Sequence, residues 1–127
     1  MIVGVGTDLI EIARVKKACE KQAFLSRIYT EEECRQFGDN AVRLAGNFAV
    51  KEAVAKALGT GFRSFTPREI QVLRDSLGKP YVNLFQGARK RADELAAVKI
   101  HVSITNTKEY AAAFAVAETG SDTEGRG

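Results

Sequence analysis

The chain has 127 residues, of which 45% are hydrophobic and 28% charged, with a net charge of +3 and a pI near 9.0. This size predicts one domain, and the composition is ordinary for a globular protein. The basic excess is too small for a nucleic-acid-binding arm. No apolar run approaches the roughly 18 residues of a membrane-spanning helix, and the N-terminus lacks the basic segment followed by an apolar segment that is typical of a signal peptide. The two cysteines do not have the spacing of a metal or redox site, so we expect free thiols. Together these features predict a cytoplasmic protein that binds neither nucleic acid nor membrane.

The chain opens with a β-type run from Met1 to Ile10. Its alternation places two glycines and Asp8 on one face, where another backbone or a ligand can approach closely. The spacing is not a dinucleotide fingerprint, because the third glycine is missing. Asp8 is therefore a candidate ligand at a strand end, and the alternative is a cap for the following helix. The two faces carry Gly4, Gly6 and Asp8 against Val3, Val5 and Leu9.

A helical pattern with a narrow apolar stripe follows from Glu11 to Lys21. Between Glu11 and Arg27, five basic side chains stand against two acidic ones, so this segment alone carries a charge of +3. A solvated helix face is one explanation. The other is a docking surface for an acidic partner, since complementary charge speeds encounter and selects partners. The residues that we assign to partner binding are Arg14, Lys17, Lys21 and Arg27.

The longest predicted helix begins near Ala41 and is closed by Gly59. It is rich in alanine and apolar on most sides, so we expect it to be buried. Glu52 and Lys56 share one polar stripe on this helix. An ordinary i, i+4 ion pair is one interpretation. A site for a cation or a phosphate is the other, because a buried carboxylate is costly unless it is paired or holds a cation.

The remaining segments predict a hairpin, a helix and two further strands, with a helix left as an option for the last strand because of its alanines. A polar, glycine-rich tail is expected to be disordered. We therefore predict an α+β fold, in which a small, mostly antiparallel sheet packs against a long central helix in a domain of residues 1–118. The predicted segments are Glu69–Arg74, Tyr81–Phe85, Gln86–Leu95, Lys99–Thr105, Tyr110–Glu118 and the tail 119–127.

The residues that can carry chemistry are two carboxylates, a lysine, a Gly-Thr-Gly loop and a strand lined by hydroxyl groups. This combination suits a hard divalent cation such as Mg²⁺ that holds phosphate oxygens. The sequence contains no Walker loop, zinc cluster or Ser-His-Asp triad. Its single histidine, His101, is more typical of a structural hydrogen bond than of catalysis.

The order of these motifs resembles the holo-acyl-carrier-protein synthases, the short, single-domain class of 4'-phosphopantetheinyl transferases. The resemblance covers roughly residues 1–118, and the Asp-bearing first strand together with the Lys-Glu-Ala-x-x-Lys helix is highly specific to that superfamily. The matching motifs are Met1-Ile-Val-Gly4-Val-Gly6-Thr-Asp8, Phe48-Ala-Val-Lys51-Glu52-Ala-Val-Ala-Lys56-Ala, Gly59-Thr-Gly61, Gly78-Lys-Pro80-Tyr and His101-Val-Ser-Ile-Thr105.

The resemblance implies a magnesium-dependent enzyme that moves 4'-phosphopantetheine from coenzyme A to a serine of apo acyl carrier protein. The reaction releases adenosine 3',5'-bisphosphate and supports fatty acid synthesis. The resemblance also implies a homotrimer with each site between two subunits, and a helix bearing Arg14 that docks the carrier protein.

The same resemblance assigns roles to site residues by matching position. Asp8 and Glu52 are the implied magnesium ligands. Lys56 is implied to neutralise the pyrophosphate or to protonate the leaving group, and it is catalytic together with the two carboxylates. The implied contacts to the nucleotide and its phosphates are Lys56, Gly59, Thr60, Gly61, His101, Ser103 and Thr105.

Two positions depart from the family pattern. The family frequently has arginine where Asn47 stands, so a phosphate contact is missing here or is supplied by Arg43. A second histidine or an acidic residue is frequent where Asn106 stands. Two other functions stay open: a non-catalytic module that binds nucleotides or acidic proteins, with Glu52 and Lys56 purely structural, and a magnesium-dependent phosphohydrolase. The basic segment favours transfer to a protein over hydrolysis.

Overall fold

The computed structural model describes residues 1–120 and shows an α+β protein. The strands are β1 (Ile2–Glu11), β2 (Ile70–Arg74), β3 (Pro80–Leu84), β4 (Ala97–Asn106) and β5 (Tyr110–Thr119). The helices are α1 (Ile12–Ala18), α2 (Gln22–Ile28), α3 (Glu31–Phe37), α4 (Ala41–Ala57) and α5 (Gln86–Glu94), with a short 3-10 helix at Pro67–Glu69. All strand pairs are antiparallel, and they form two sheets rather than one: a three-stranded sheet β1-β5-β4 and a two-stranded sheet β2-β3.

Helix α4 is the central element, as the sequence predicts. The side chain of Asn40 caps it by accepting a hydrogen bond from the backbone N–H of Arg43. Most of its residues are buried, and one side packs on the three-stranded sheet while the other meets β2 and α3. Alanines on β5 face this helix, and their small side chains allow the sheet and the helix to approach closely.

Two glycines of β1 let the strand lie against the backbone of α4. A Cβ atom on Gly6 would stand 1.9 Å from the carbonyl oxygen of Ala53, and one on Gly4 would stand 1.8 Å from that of Ala57. No side chain fits such a gap, so this face of β1 requires glycine. The expected close approach of a backbone to this face is confirmed, and the backbone is that of α4.

The opposite face of the three-stranded sheet is open in the single chain. It carries exposed apolar side chains at Val5, Leu9 and Phe114, whose exposed fractions are 56%, 66% and 50%. Since the strand period is two, these residues point away from α4. Charged and polar residues, including His101, border them.

Several segments differ from the sequence prediction. The helix expected over 11–21 ends at Ala18, and α2 was not predicted at all because seven residues give too little periodic signal. Asp8 does not cap a helix, since β1 continues to Glu11, which precedes α1. The strand option for β5 is confirmed, and β5 extends to Thr119, whose N–H donates to the Met1 carbonyl. The rest of the predicted disordered tail, 121–127, lies outside the described residues.

Candidate active site between β1 and α4

Asp8 on β1 and Glu52 on α4 are both partly buried where these two elements meet, and their charges lie near each other. Burial raises the pKa of Asp8, against the opposing charge of Lys56. Burial also raises the pKa of Glu52, and the Asp8 carboxylate raises it further. The two carboxylates are therefore close enough to repel each other, an arrangement that a bound cation would relieve.

Lys56 turns toward β1 rather than along its own helix. Its ammonium group donates a hydrogen bond of 2.9 Å to the carbonyl oxygen of Thr7 and lies 3.5 Å from Oδ1 of Asp8. The interpretation of Glu52 and Lys56 as an ordinary i, i+4 ion pair is wrong, because within residues 1–120 Glu52 has no ion-pair or hydrogen-bond partner. A half-buried carboxylate without a partner is a place where a ligand is expected.

The donor set fits a cation that prefers oxygen. Two carboxylates converge, and no group of three or more His, Cys, Asp or Glu side chains suited to a metal occurs among the described residues. Mg²⁺ is commonly held by one or two carboxylates and completes its shell with water and substrate phosphates. Asp8 and Glu52 therefore fit such an ion, and water and substrate phosphates would complete its shell.

The Gly-Thr-Gly loop lies directly after the last turn of α4, the turn that carries Lys56. Gly59 and Gly61 have φ values of 82° and 61°, which favour glycine. The side chain of Arg91 holds the end of the helix through a hydrogen bond from Nε to the carbonyl oxygen of Leu58, at 2.8 Å. The loop and Lys56 thus occupy the same end of α4.

The predicted nucleotide contacts on β4 lie elsewhere. His101, Ser103 and Thr105 are exposed on the outer face of the three-stranded sheet, whereas Asp8 is on the face toward α4. His101 Nε2 is 2.9 Å from Oε1 of Glu118. A single chain therefore does not bring these three residues to the carboxylates, because the sheet separates them.

Comparison with known proteins gives the family. A model described as the 4'-phosphopantetheinyl transferase superfamily matches residues 4–115. The chain belongs to this superfamily.

Relatives across the whole length agree. Holo-(acyl-carrier-protein) synthase of Lachnoclostridium phytofermentans is 57% identical over 118 residues, which cover 93% of this chain and 97% of that protein. The crystal structure of holo-(acyl-carrier-protein) synthase from Neisseria meningitidis has a TM-score of 0.85 at 37% identity, over 94% of this chain and 100% of the other. A holo-(acyl-carrier-protein) synthase from Bacillus anthracis, in complex with CoA (3',5'-ADP), has a TM-score of 0.79 at 34% identity, over 94% and 99%. The predicted phosphopantetheinyl transferase fold and enzyme class are confirmed.

The basic residues of this phosphopantetheinyl transferase form one surface. The four cations predicted to bind a partner line a single open groove of about 680 Å³ between α1 and α2, together with Phe24. The ring of Phe24 stacks on that of Phe48 with centroids 6.2 Å apart, and Phe48 lies one turn before Glu52 on α4. We name this surface the basic groove; its charged residues are Arg14, Lys17, Lys21 and Arg27.

A buried polar network behind the site was not predicted from the sequence. Lys51 is fully buried and donates to Glu33 Oε2 at 2.9 Å and to the carbonyl oxygens of Pro67 and Ile70 at 3.0 and 2.5 Å. Asn47, where the family often has arginine, is also fully buried and donates to Glu33 Oε1 at 3.2 Å. Asn47 therefore makes its contacts within the core, where it also donates to the carbonyl oxygen of Val72. The available signal was a lysine on an apolar helix without an acidic residue three or four positions away.

Proposed function

We propose that this chain transfers the 4'-phosphopantetheine group of coenzyme A to a serine of an apo acyl carrier protein, with Mg²⁺ held by Asp8 and Glu52. The observation that carries the proposal is the carboxylate of Glu52 beside Asp8, which has no ion-pair or hydrogen-bond partner within residues 1–120 and stands on a mostly buried helix. The family, and relatives that are named for this reaction over nearly the full chain, support it.

Asp8 and Glu52 would bind the ion through carboxylate oxygens. When bound, the ion supplies positive charge to the phosphates during transfer. The backbone contact between β1 and α4 holds the two carboxylates at a fixed separation before any ligand arrives, so little reorganisation accompanies binding.

Lys56 would contribute a second positive charge. Its side chain is 54% exposed and stands on the last turn of α4, directly before the Gly-Thr-Gly loop. There it can neutralise a phosphate oxygen, and it can donate a proton to the leaving phosphate. We propose that Gly59, Thr60 and Gly61 line the phosphate path, because their backbone follows Lys56 directly.

The basic groove would dock the carrier protein. Its four cations offer a complementary surface to an acidic partner, and the half-buried ring of Phe24, which lines the same groove, provides an apolar contact. The stacking of Phe24 on Phe48 connects the groove to the turn of α4 that precedes Glu52. A carrier protein bound there can present its serine to the site from the side of α1.

The assembly would be a homotrimer with shared sites. The outer face of the three-stranded sheet exposes the apolar side chains of Val5, Leu9 and Phe114, and covering them with other subunits would be favourable. His101, Ser103 and Thr105 border the same face, so they can reach a nucleotide only in the site of a neighbouring subunit. Light scattering should give three times the mass of one chain, and Leu9→Glu should lower it; a monomeric wild type with full activity would exclude shared sites.

The test of the transfer is the mass of the product. Purified protein, apo carrier protein, coenzyme A and Mg²⁺ are incubated, and intact mass spectrometry is expected to show a gain of one phosphopantetheine. Chelator should prevent the gain. A phosphohydrolase would consume coenzyme A and leave the carrier protein unchanged, and a non-catalytic module would change neither. A cytoplasmic location and a role in fatty acid synthesis stay predictions.

A separate kinetic prediction tests the basic groove. Arg14→Glu should raise the KM for carrier protein by about tenfold at low salt, and less at high salt, since exposed charges are screened over about 8 Å at physiological ionic strength. The KM for coenzyme A should change little, because the phosphates are assigned to Lys56. Lys90→Glu, an equal reversal on α5, is the matched control. If Arg14→Glu changed the KM for coenzyme A alone, the assignment of the basic groove to the carrier protein would be wrong.

A further inference from the structure

Lys56 occupies the position beside Asp8 that a divalent cation needs in the proposed function. Its Nζ atom is 3.5 Å from Oδ1 of Asp8 and is anchored by the 2.9 Å hydrogen bond to the carbonyl oxygen of Thr7. Asp8 is the less exposed partner, with 16% of its side chain accessible. The ammonium group therefore compensates a carboxylate that burial would otherwise leave uncompensated.

The ammonium and a divalent ion cannot both stay at Asp8. At separations of a few ångströms their like charges repel, and both cations draw on the charge of one carboxylate, whose Oδ1 faces Lys56. Lys56 can leave without a loss of packing, because more than half of its side chain is exposed and its four-carbon stem is flexible. Glu52, on the same helix face, has no partner to lose among the described residues.

We infer that Lys56 is a cationic placeholder for Asp8, which a divalent cation displaces and which then turns to the entering phosphate. The inference rests on the proposed function. It predicts that metal and phosphate ligand help each other to bind, because the metal releases the lysine and the phosphate stabilises the released lysine.

The first experiment measures Mn²⁺ affinity without nucleotide. Titration at pH 8, followed by electron paramagnetic resonance of free Mn²⁺, compares the wild type with Lys56→Met. The variant should bind Mn²⁺ about tenfold more tightly, since the competing charge is gone. Lys90→Met, an exposed lysine on α5, should equal the wild type. Equal or weaker binding by Lys56→Met, or binding by neither protein, overturns the inference.

The second experiment detects the release in the wild type itself. Lysines are acetylated briefly with a succinimide ester, with and without Mg²⁺, and each site is quantified by peptide mass spectrometry. Acetylation of Lys56 should rise at least threefold with Mg²⁺, because its amine leaves the Thr7 carbonyl and the Asp8 carboxylate, while Lys90 stays constant. Unchanged or lower labelling of Lys56 overturns the inference.

These outcomes are separable from those of the proposed function. A protein that modifies the carrier protein, but shows neither tighter Mn²⁺ binding in Lys56→Met nor Mg²⁺-dependent labelling, refutes only the placeholder. A protein that shows both effects, but leaves the carrier protein unmodified, refutes only the transfer reaction.

Discussion

Helix α4 carries two lysines five residues apart that have opposite surroundings. Lys51 is fully buried, and each of its three N–H donors has an acceptor. Its partner Glu33 is also fully buried and additionally accepts hydrogen bonds from backbone N–H groups of Thr30 and Val72. Lys56 is mostly exposed and has a longer ion contact of 3.5 Å, and the neighbouring Glu52 has no partner in the part of the chain that the structure describes.

The difference separates charge used for folding from charge available for binding. A buried pair with all of its hydrogen bonds made has nothing left to offer a ligand, and it joins α3, β2 and α4 into one unit. The site between β1 and α4 has an excess of negative charge, because one lysine stands against two carboxylates. Incomplete compensation in a half-buried position is what a cation can exploit.

The largest effect is expected from substitutions in the site between β1 and α4. Asp8→Asn or Glu52→Gln should reduce kcat/KM for carrier-protein modification about a thousandfold, or about 4 kcal/mol of transition-state stabilisation, because each removes a charged ligand in a shielded site. Steady-state kinetics with Mg²⁺ give the value. Both variants should stay folded, as judged by circular dichroism. Full activity in either variant would contradict the assigned ligands.

The next largest effect is expected on stability, from loss of the buried pair of Lys51 and Glu33. Lys51→Met should lower the free energy of unfolding by about 3–5 kcal/mol, since Glu33 is left buried and uncompensated. Lys56→Met is the matched control on the same helix and should lower stability by only about 1 kcal/mol, because Asp8, unlike Glu33, keeps access to water when its lysine is removed. Urea titration of both variants measures the two values. Similar losses in the two variants would remove the distinction between the lysines.

The smallest effect concerns pH. The pKa values of Asp8 and Glu52 are raised above their ordinary values of 3.8 and 4.5, so the metal-free fold favours their protonated forms. The stability that protonation provides is present below those ordinary values and is lost as pH rises through the raised values. In chelator, the double variant Asp8→Asn/Glu52→Gln should therefore gain about 1 kcal/mol over the wild type between pH 4 and pH 8.

Magnesium supplies the check on this pH effect. At pH 8, Mg²⁺ should stabilise the wild type by mass action and leave the double variant unchanged. Urea titrations at both pH values, with and without Mg²⁺, give all four comparisons. In chelator, the wild type could instead become more stable than the double variant as pH rises. That result would show that the metal-free fold does not disfavour the charged forms of the two carboxylates.

The binding side of the comparison could be predicted from the sequence, and most of the folding side could not. Glycine alternation singled out Asp8, and an apolar helix singled out Glu52, because both signals are local and periodic. The pairing of Lys51 with Glu33 joins residues 18 positions apart, which no local period encodes. Glu33 also completes the capping box of α3, because its side chain accepts a hydrogen bond from the Thr30 N–H while it pairs with Lys51.

The sequence predicts which residues of β4 share a face, but not whether that face is the one that carries Asp8. Strict alternation placed His101 with Ser103 and Thr105, and this grouping is correct. Whether that face is shared with Asp8 depends on the register of both strands with β5, which lies between them. A one-residue change of register would reverse the answer, and the sequence does not fix a register between distant strands.

The contact of β1 with α4 through Gly4 and Gly6 has a consequence for how this site tolerates change. The distance between the carboxylate-bearing strand and helix is set by main-chain atoms in direct contact, and side-chain volume does not enter it. Substitutions elsewhere in the hydrophobic core can therefore alter the melting temperature while the gap between Asp8 and Glu52 keeps its width. A methyl group on Gly6 would stand 1.9 Å from the carbonyl oxygen of Ala53, so it would push β1 away from α4 and widen the proposed metal site from behind.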